Sequence, residues 1–455
     1  MQVTWRSCTS VIGILGAATF AGCGDSAAGR DQAEAGESSG SISATTADPS
    51  TSSSAGEASM SASGQSTTAT STTAAADDSG SGDGPLFDLG IVPDVAGQPC
   101  GGKGGTPEFS FIWIANSGQG TISRINTQTM IEEGRYIVRP DSAGSPSRTS
   151  VSLSGDVAVA NRNGGVTKVY ANVEDCAESN GMPGIQTSSG AADILPWGTE
   201  ECIAWHTPFA YATQRPVAWA PAPFDESTCT YQDQKLWTSG ANGEGTLTVH
   251  RLDGETGAVE DDVPVPGMAV NFFGAYGGAV NGDGDLWITN YGQPPMLARV
   301  DAVTLDVEMV PGPDIYSYGF TVDSQGRPWL GGFVNGSARY SPATGTWDVL
   351  GGVLGYGIQE DADGLMWLAT FSPEGVRTID SDSLALGAQI NLPGSGCKGV
   401  SIDFYGYVWV VDMSQNAFRI DPATQQVDTY AGLTGPYTYS DMTGWGLSNV
   451  AFPPG

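Results

Sequence analysis

The sequence predicts an all-β protein, a seven-bladed β-propeller that is closed by pairing of its N- and C-terminal strands and follows a disordered tether. Two observations predict this fold: one motif recurs in gap-free copies, and short apolar strands alternate with turn residues along the same part of the chain. A length of 455 residues alone would suggest about three domains, but large all-β folds often exceed the usual domain size.

The motif is Gly-x3-Asp/Asn-x2-Gly-x2-Trp, and its copies span residues 277–287, 319–329, 357–367 and 399–409. Each Trp opens an apolar strand, a third strand with a central Arg follows, and a turn rich in Pro, Asp and Gly leads to a fourth strand. Four short strands in a unit of about 40 residues are typical of a propeller blade. We expect the Trp to pack between blades and the first Gly to lie where backbones crowd near the axis.

Weaker copies of the unit extend the count to seven and assign residues 85–455 to the propeller, with an insertion at about 171–210. Residues 111–126 supply two strands that lack a first strand, whereas residues 445–450 resemble a first strand that lacks its partners. We therefore expect residues 445–450 to complete the first blade, which closes the ring and leaves no long open sheet edge.

Residues 1–22 are typical of a bacterial lipoprotein signal peptide. Arg6 precedes an apolar segment at 11–20, and Phe20-Ala21-Gly22-Cys23 resembles a lipobox in which Phe20 stands where Leu is usual. We expect Cys23 to be lipidated and to hold the protein in the cell envelope, with the outer membrane favoured, so that the lipid anchor is its one contact with a membrane. An ordinary secreted protein is the alternative.

Residues 23–84 consist mainly of Ser, Thr, Ala and Gly and contain no aromatic residue, so they predict a disordered tether that lifts the propeller off the bilayer.

The chain carries 50 acidic and 18 basic residues, a formal net charge of -32. This balance excludes a general nucleic-acid binder, because Lys and Arg contacts to phosphate supply most of such affinity.

Residues from about 108 to 455 resemble the NHL-repeat and virginiamycin B lyase-like propellers, with gluconolactonase-type propellers as more distant relatives; the repeated motif carries this resemblance. For the lyases it implies paired histidines with carboxylates and a bound magnesium ion. This chain has His206, in the segment that joins blades 2 and 3, and His250, on an outer strand, and neither fits the lyase pattern. Catalytic residues are therefore not carried over.

For the lactonase-type relatives the resemblance implies a divalent metal held by Glu, Asn and Asp at the channel mouth. Each candidate here ends a second strand, and oxygen ligands suit calcium or magnesium. The candidates are Asn116, Asn161, Asn290 and Asp412. The same residue types are also common in the turn after a strand, so turn chemistry is the alternative.

A second candidate site is the ring of residues that precede the inner strands. Its members are Arg215, Tyr276, Tyr318, Tyr356, Lys398 and Trp445, with Arg148 nearby in a less certain register. Aromatic faces stack on ligands and cationic side chains bind anionic groups. The ring predicts a site for a small molecule, a glycan or a protein partner, and the alternative is that the tyrosines fill the axis.

These patterns favour a membrane-anchored surface or periplasmic lipoprotein that binds a ligand at the channel mouth. A metal-dependent enzyme of the lyase or lactonase type and a structural scaffold for protein interactions are the alternatives. Cys176 and Cys202 flank the insertion and are the first predicted disulfide; Cys100 with Cys229 is one option for a second, since four cysteines allow three pairings. Cys397 is left over beside Lys398, either as a reactive thiol or as a buried and inert one.

Overall fold

A computed structural model describes residues 110–243, 245–268 and 272–453. All of them belong to one compact unit, Asp83–Gly455. The predicted signal peptide, Cys23, the tether 23–84 and Cys100 lie outside the described residues. Within the described part of the chain, no helix is both long and apolar enough to cross a membrane.

The described residues form eight antiparallel sheets; seven follow one another along the chain as the predicted seven blades, and the eighth is a two-stranded hairpin inserted in blade 3. The strands of blades 1 to 3 are β1 (Phe111–Asn116), β2 (Thr121–Asn126) and β3 (Glu132–Ile137); β4 (Pro146–Val151), β5 (Val157–Asn161), β6 (Val166–Val169) and β7 (Ile203–Thr207); and β8 (Thr213–Trp219), the hairpin β9 (Phe224–Asp225) and β10 (Thr230–Tyr231), β11 (Lys235–Ala241), β12 (Leu247–Asp253) and β13 (Val259–Val265). The strands of blades 4 and 5 are β14 (Ala275–Val280), β15 (Leu286–Asn290), β16 (Met296–Val300) and β17 (Val307–Pro311); and β18 (Tyr316–Val322), β19 (Pro328–Val334), β20 (Gly336–Ser341) and β21 (Thr346–Gly351). The strands of blades 6 and 7 are β22 (Ile358–Glu360), β23 (Leu365–Phe371), β24 (Glu374–Asp380) and β25 (Leu386–Asn391); and β26 (Gly399–Ile402), β27 (Val408–Val411), β28 (Ala417–Ile420) and β29 (Val427–Tyr430).

The repeated motif forms the turn between the first and second strands of a blade. In blade 5, Asp323 Oδ1 accepts two backbone N–H groups of the turn, and its Oδ2 accepts the indole N–H of the buried Trp329 at 2.8 Å. One carboxylate therefore closes the turn and orients the Trp that packs against the next blade. The same pairing recurs in Asp361 with Trp367 and in Asp403 with Trp409.

The aspartate of blade 7 predicts a pH dependence of stability. Burial raises the pKa of Asp403 to about 6. The folded protein then binds this proton more tightly than the unfolded chain does, so the charged carboxylate lowers stability above pH 6 and the loss is relieved as the pH falls. Between pH 7 and pH 5 the relief amounts to about 1 kcal/mol. Asp403→Asn, which does not titrate, should lack this component in urea unfolding at the two pH values.

The matched control for this measurement is Asp283→Asn, which changes an exposed carboxylate in the corresponding region of blade 4. This variant should keep the pH profile of the wild type, to which other buried carboxylates also contribute. An unchanged profile in Asp403→Asn would contradict the prediction.

The ring closes through the C-terminal segment, as predicted, but not through residues 445–450. Residues 434–442 lie along β1: the Trp113 N–H donates to the carbonyl of Met442 at 2.8 Å and the Tyr437 N–H to that of Ala115 at 3.1 Å. The assignment of 445–450 to a strand is wrong, because these residues lie in the helix α1 (Trp445–Ala451). Asp441 explains the difference: its carboxylate accepts backbone N–H groups of the first turn of α1 and so favours a helix there.

Each blade carries one basic residue at the third position of its sheet, counted from the axis. In blade 1 the closing segment 434–442 takes the first position, so the third position is β2. These residues are Arg124, Lys168, Arg251, Arg299, Arg339, Arg377 and Arg419. Several reach a backbone carbonyl of the next blade; for example, Arg251 Nη1 donates to the carbonyl of Ala302 at 2.6 Å. Arg419 of blade 7 donates in the same way to the carbonyl of Thr127 in blade 1 at 2.7 Å. These cations join the blades and, at the last interface, help to close the ring.

The structure places the insertion and both histidines differently from the positions expected from the sequence. The insertion lies inside blade 2, between β6 and β7, so it ends before Ile203 rather than at about 210. His206 therefore lies on β7, the outer strand of blade 2, and not in a connection to blade 3. His250 lies on β12, the third strand of blade 3 rather than the outer one, because the β9–β10 hairpin occupies part of the segment before β11.

The predicted disulfide between Cys176 and Cys202 is confirmed and joins the two ends of the insertion, with 4.6 Å between the Cα atoms. Cys229 is disulfide-bonded, and its predicted partner Cys100 lies outside the described residues. Of the described cysteines, Cys397 is free and buried. Burial and the neighbouring Glu374 carboxylate raise the pKa of its thiol, which disfavours a reactive thiolate.

Candidate ligand-binding site

A cluster of aromatic and basic side chains fills the propeller axis at the end where the inner strands begin. Tyr276, Tyr318 and Tyr356 come from blades 4, 5 and 6, each directly before the first Gly of the motif. The ring centroids of Tyr276 and Tyr318 are 5.3 Å apart, and those of Tyr318 and Tyr356 are 4.8 Å apart. The recurring motif thus places one ring per blade at the same level of the channel.

Two further tyrosines of this cluster were missed in the sequence. Tyr437 and Tyr439 lie on the C-terminal segment that closes blade 1, and both are buried. The Tyr437 hydroxyl is 3.1 Å from that of Tyr276 and also forms a short hydrogen bond with that of Tyr318. The tyrosines therefore fill the centre of the channel. We refer to Arg148, Arg215, Tyr276, Tyr318, Tyr356, Lys398, Tyr437 and Tyr439 together as the axial cluster.

The basic members of the axial cluster stack on its rings. The Arg148 guanidinium carbon is 3.2 Å from the ring centroid of Tyr439, and that of Arg215 is 4.9 Å from the centroid of Tyr276. Lys398 Nζ is 3.3 Å from the centroid of Tyr356. A desolvated cation–π contact contributes about 2 kcal/mol, which is less than the several kcal/mol that burying an ion costs.

Arg148 remains a cation at neutral pH. Burial, with the neighbouring Arg215 charge as a further cause, lowers its pKa to about 9. The tyrosines around it oppose the shift. The buried layer of the site is therefore positively charged at physiological pH.

A row of half-buried aromatic side chains lies above the buried tyrosines, and we call it the aromatic strip. Neighbouring ring centroids along it are 5.0, 4.8, 4.7, 6.3 and 5.0 Å apart. Its members, in that order, are Phe273, Tyr291, Tyr316, Phe333, Tyr356 and Phe371. A signal for part of it was present in the sequence, since Tyr291, Phe333 and Phe371 each follow the motif Trp by four residues.

Trp445 does not belong to the axial cluster. Its indole N–H donates to the carbonyl of Glu360, at the far end of β22 from Tyr356. Trp445 therefore lies toward the opposite end of the channel, because it belongs to α1 and not to an inner strand. The other ring residues named from the sequence, including Arg148, come together as one cluster, and their role in binding stays a prediction.

The four candidate metal ligands each contact the loop that follows or faces their own strand. Asp412 Oδ1 accepts three successive backbone N–H groups, from Ser414 to Asn416. Asn290 Oδ1 accepts the Met296 N–H, Asn116 Oδ1 accepts the Thr434 N–H, and Asn161 Nδ2 donates to the carbonyl of Val138. No group of three or more His, Cys, Asp or Glu residues in the described ranges could hold a metal. Calcium or magnesium binding by these four residues stays a prediction.

Both histidines are hydrogen-bonded on the outer half of their blades. His206 Nδ1 lies 2.9 Å from Thr167 Oγ1. His250 Nδ1 lies 2.6 Å from Asp262 Oδ1, and its Nε2 lies 2.6 Å from the Tyr211 hydroxyl. They stabilise strands 3 and 4 of blades 2 and 3 and are not part of the axial cluster.

The channel below the axial cluster is narrow. Its cavity of about 40 Å³ is lined by inner-strand residues such as Ser150 and Gln359 and by Asp441. This volume holds only a few water molecules. This cavity is therefore too small for an organic ligand.

Comparison with known proteins finds similarity in the structure alone, since no family model and no curated protein matches the chain. The chain is similar to virginiamycin B lyase from Staphylococcus aureus, with 14% identity and a TM-score of 0.45, over 65% of this chain and 89% of that one. A catalytically inactive variant of virginiamycin B lyase from Staphylococcus aureus, with quinupristin, gives 14% identity and a TM-score of 0.44, over 71% and 88%. A streptogramin B lyase structure gives 15% identity and a TM-score of 0.45, over 67% and 88%. The likeness concerns the fold.

Proposed function

We propose that the protein is a lipid-anchored propeller of the cell envelope that binds a small organic molecule at the mouth of its channel. One observation carries the proposal: six half-buried aromatic rings form a continuous strip over the axis, beside a buried layer of cations. Contiguous apolar surface of this kind is typical of a ligand site with a few polar groups that fix orientation.

The strip suits a ligand with a flat or ring-shaped body. Neighbouring rings along it meet mainly edge to face or tilted, as Tyr291 and Tyr316 do with an interplanar angle of 61°. Because the rings are half-buried, part of each stays accessible to a ligand, and each ring contact with a ligand contributes about 1 kcal/mol. The predicted anchor at Cys23 would hold the protein where it meets molecules outside the inner membrane.

The observed chemistry favours binding over catalysis. His206 lies on the fourth strand of blade 2 and His250 on the third strand of blade 3, and the Oδ1 atoms of Asn116, Asn290 and Asp412 accept backbone N–H groups. The axial cluster offers phenols, two guanidiniums and one ammonium, which recognise a ligand but supply no general base at neutral pH.

The binding proposal is tested by thermal unfolding of the lipidated full-length protein with a panel of sugars, aromatic acids and short peptides. We expect at least one class to raise the melting temperature of the wild type and to lose about tenfold in affinity with Tyr316→Ala/Phe333→Ala. Tyr405→Ala, which removes a half-buried Tyr from a turn at the opposite end of the inner strands, is the matched control. An equal response of all three proteins, or no response to any class, would contradict binding at the strip.

Lipid anchoring is tested separately. In the same preparation Cys23→Ser should move the protein from the membrane fraction to the soluble fraction.

A further inference from the structure

The basic residues of this acidic chain are not placed at random, and those of the axial cluster stand apart. Two buried arginines elsewhere have oxygen acceptors: Arg135 donates to both oxygens of Glu132 at 2.7 and 2.9 Å, and Arg124 donates to the backbone carbonyls of Ala171 and Glu133. The side chains of Arg148 and Arg215, which are 1% and 4% exposed as residues, form no ion pair with a described carboxylate. Arg148 Nη1 and Nη2 donate to the backbone carbonyls of Ser147 and Tyr276 at 3.2 and 3.1 Å, and the titratable side chains around it are tyrosines and Arg215.

The unused donors of these two guanidiniums lie along their edges. Arg215 Nε and Nη1 and Arg148 Nε are buried and have no hydrogen-bond partner within the described ranges. The aromatic rings cover the guanidinium faces, as the contacts of Arg215 with Phe273 and Tyr276 show. Rings cannot accept in-plane N–H groups as an oxygen atom does, so these three nitrogens still lack acceptors.

We propose that the axial cluster binds a carboxylate, with Arg215 and Arg148 donating from these edges and with the body of the ligand stacked on the aromatic strip. The ligand is then a small organic acid, an inference that rests on the proposed function. A guanidinium edge matches the planar carboxylate, and an anion offsets the charge that the fold buries here. Phe273 connects the two layers, because it belongs to the half-exposed strip and covers Arg215 at 5.1 Å.

The test uses thermal unfolding of the full-length protein in sodium acetate, benzoate, glucuronate, phosphate or chloride at equal ionic strength and pH 7. Acetate should raise the melting temperature in a saturable manner above that in chloride, and benzoate or glucuronate should bind at least tenfold more tightly because each adds a ring-shaped body. A larger effect of phosphate than of any carboxylate would overturn the carboxylate assignment.

Two variants separate a binding role from a structural one. Arg215→Gln should raise the melting temperature without ligand, because it removes an uncompensated buried charge, and should lose the response to acetate. Arg135→Gln, the matched control at a buried and paired arginine, should lower the melting temperature and keep that response. If Arg215→Gln is instead destabilised and still responds to acetate, the proposal is wrong.

The double variant Tyr316→Ala/Phe333→Ala distinguishes this inference from the proposed function. It should keep the response to acetate and lose the additional affinity for benzoate or glucuronate. Binding of an uncharged ligand on the strip without any carboxylate response would overturn the carboxylate site alone. A carboxylate response that the double variant leaves intact for every acid would instead overturn the role of the strip.

Discussion

Gly319→Ala is expected to destabilise the propeller by at least about 3 kcal/mol, a large share of the stability of a typical domain. A Cβ atom at this position would overlap the backbone carbonyl of Tyr356 on the next blade and would lie 3.0 Å from the Cα atom of Gly357. The neighbouring backbone cannot withdraw, because the Tyr356 N–H donates to the carbonyl of Ala369 and the Gly357 N–H to that of Lys398, both at 2.8 Å. The first Gly of the motif is thus required by the close approach of inner strands.

Urea unfolding of the wild type and the variant measures this effect, and Gly351→Ala is the matched control in the same blade. A Cβ atom on Gly351 meets no atom within 4 Å, so its free energy of unfolding should change by about 0.5 kcal/mol or less. Because Tyr356 belongs to both the axial cluster and the aromatic strip, Gly319→Ala should also weaken ligand binding where it still folds. Equal stabilities of the two variants would show that the blades have more freedom at the axis than the geometry indicates.

The fold and the level of the axial cluster were predictable because one motif fixes both. The Gly at the start of each inner strand sets the spacing between blades, and the residue before it is carried to the mouth in register, as Tyr276, Tyr318 and Tyr356 show. The role of the motif Asp was not predicted. The turn N–H groups explain an Asp or an Asn equally well, and only the structure shows the bond from Asp323 to the Trp329 indole.

Neither the segment that closes the ring nor the lack of carboxylate partners for the buried arginines of the axial cluster could be predicted from the sequence. Residues 434–442 do not carry the motif, and their partner β1 lies more than 300 residues away in the sequence. No local pattern therefore specifies that pairing. The sequence placed Arg148, Arg215 and Lys398 near one level, yet whether a carboxylate reaches a buried cation depends on every side chain around it. That dependence on the assembled fold is why the unpaired edges of Arg215 emerged only from the structure.

A chain that ends at Tyr430 is expected to lose the closed ring and its cooperative unfolding transition. Removing residues 431–455 takes away the segment that closes blade 1, including the acceptor for the Trp113 N–H, and exposes one edge of β1. It also removes Tyr437, Tyr439 and the buried Met442, so the axial cluster loses its centre.

The loss should be comparable to the whole stability of the domain, about 5 kcal/mol or more, because ring closure is what spares the first and last blades an open interface. Circular dichroism during heating and size-exclusion chromatography measure the result, with a chain ending at Phe452 as the control that keeps the closing segment and α1. The contact from Arg419 to the carbonyl of Thr127 remains in the shortened chain and joins blades 7 and 1 farther from the axis. A cooperative, monomeric transition at the temperature of the control would therefore mean that such outer contacts close the ring without the closing segment.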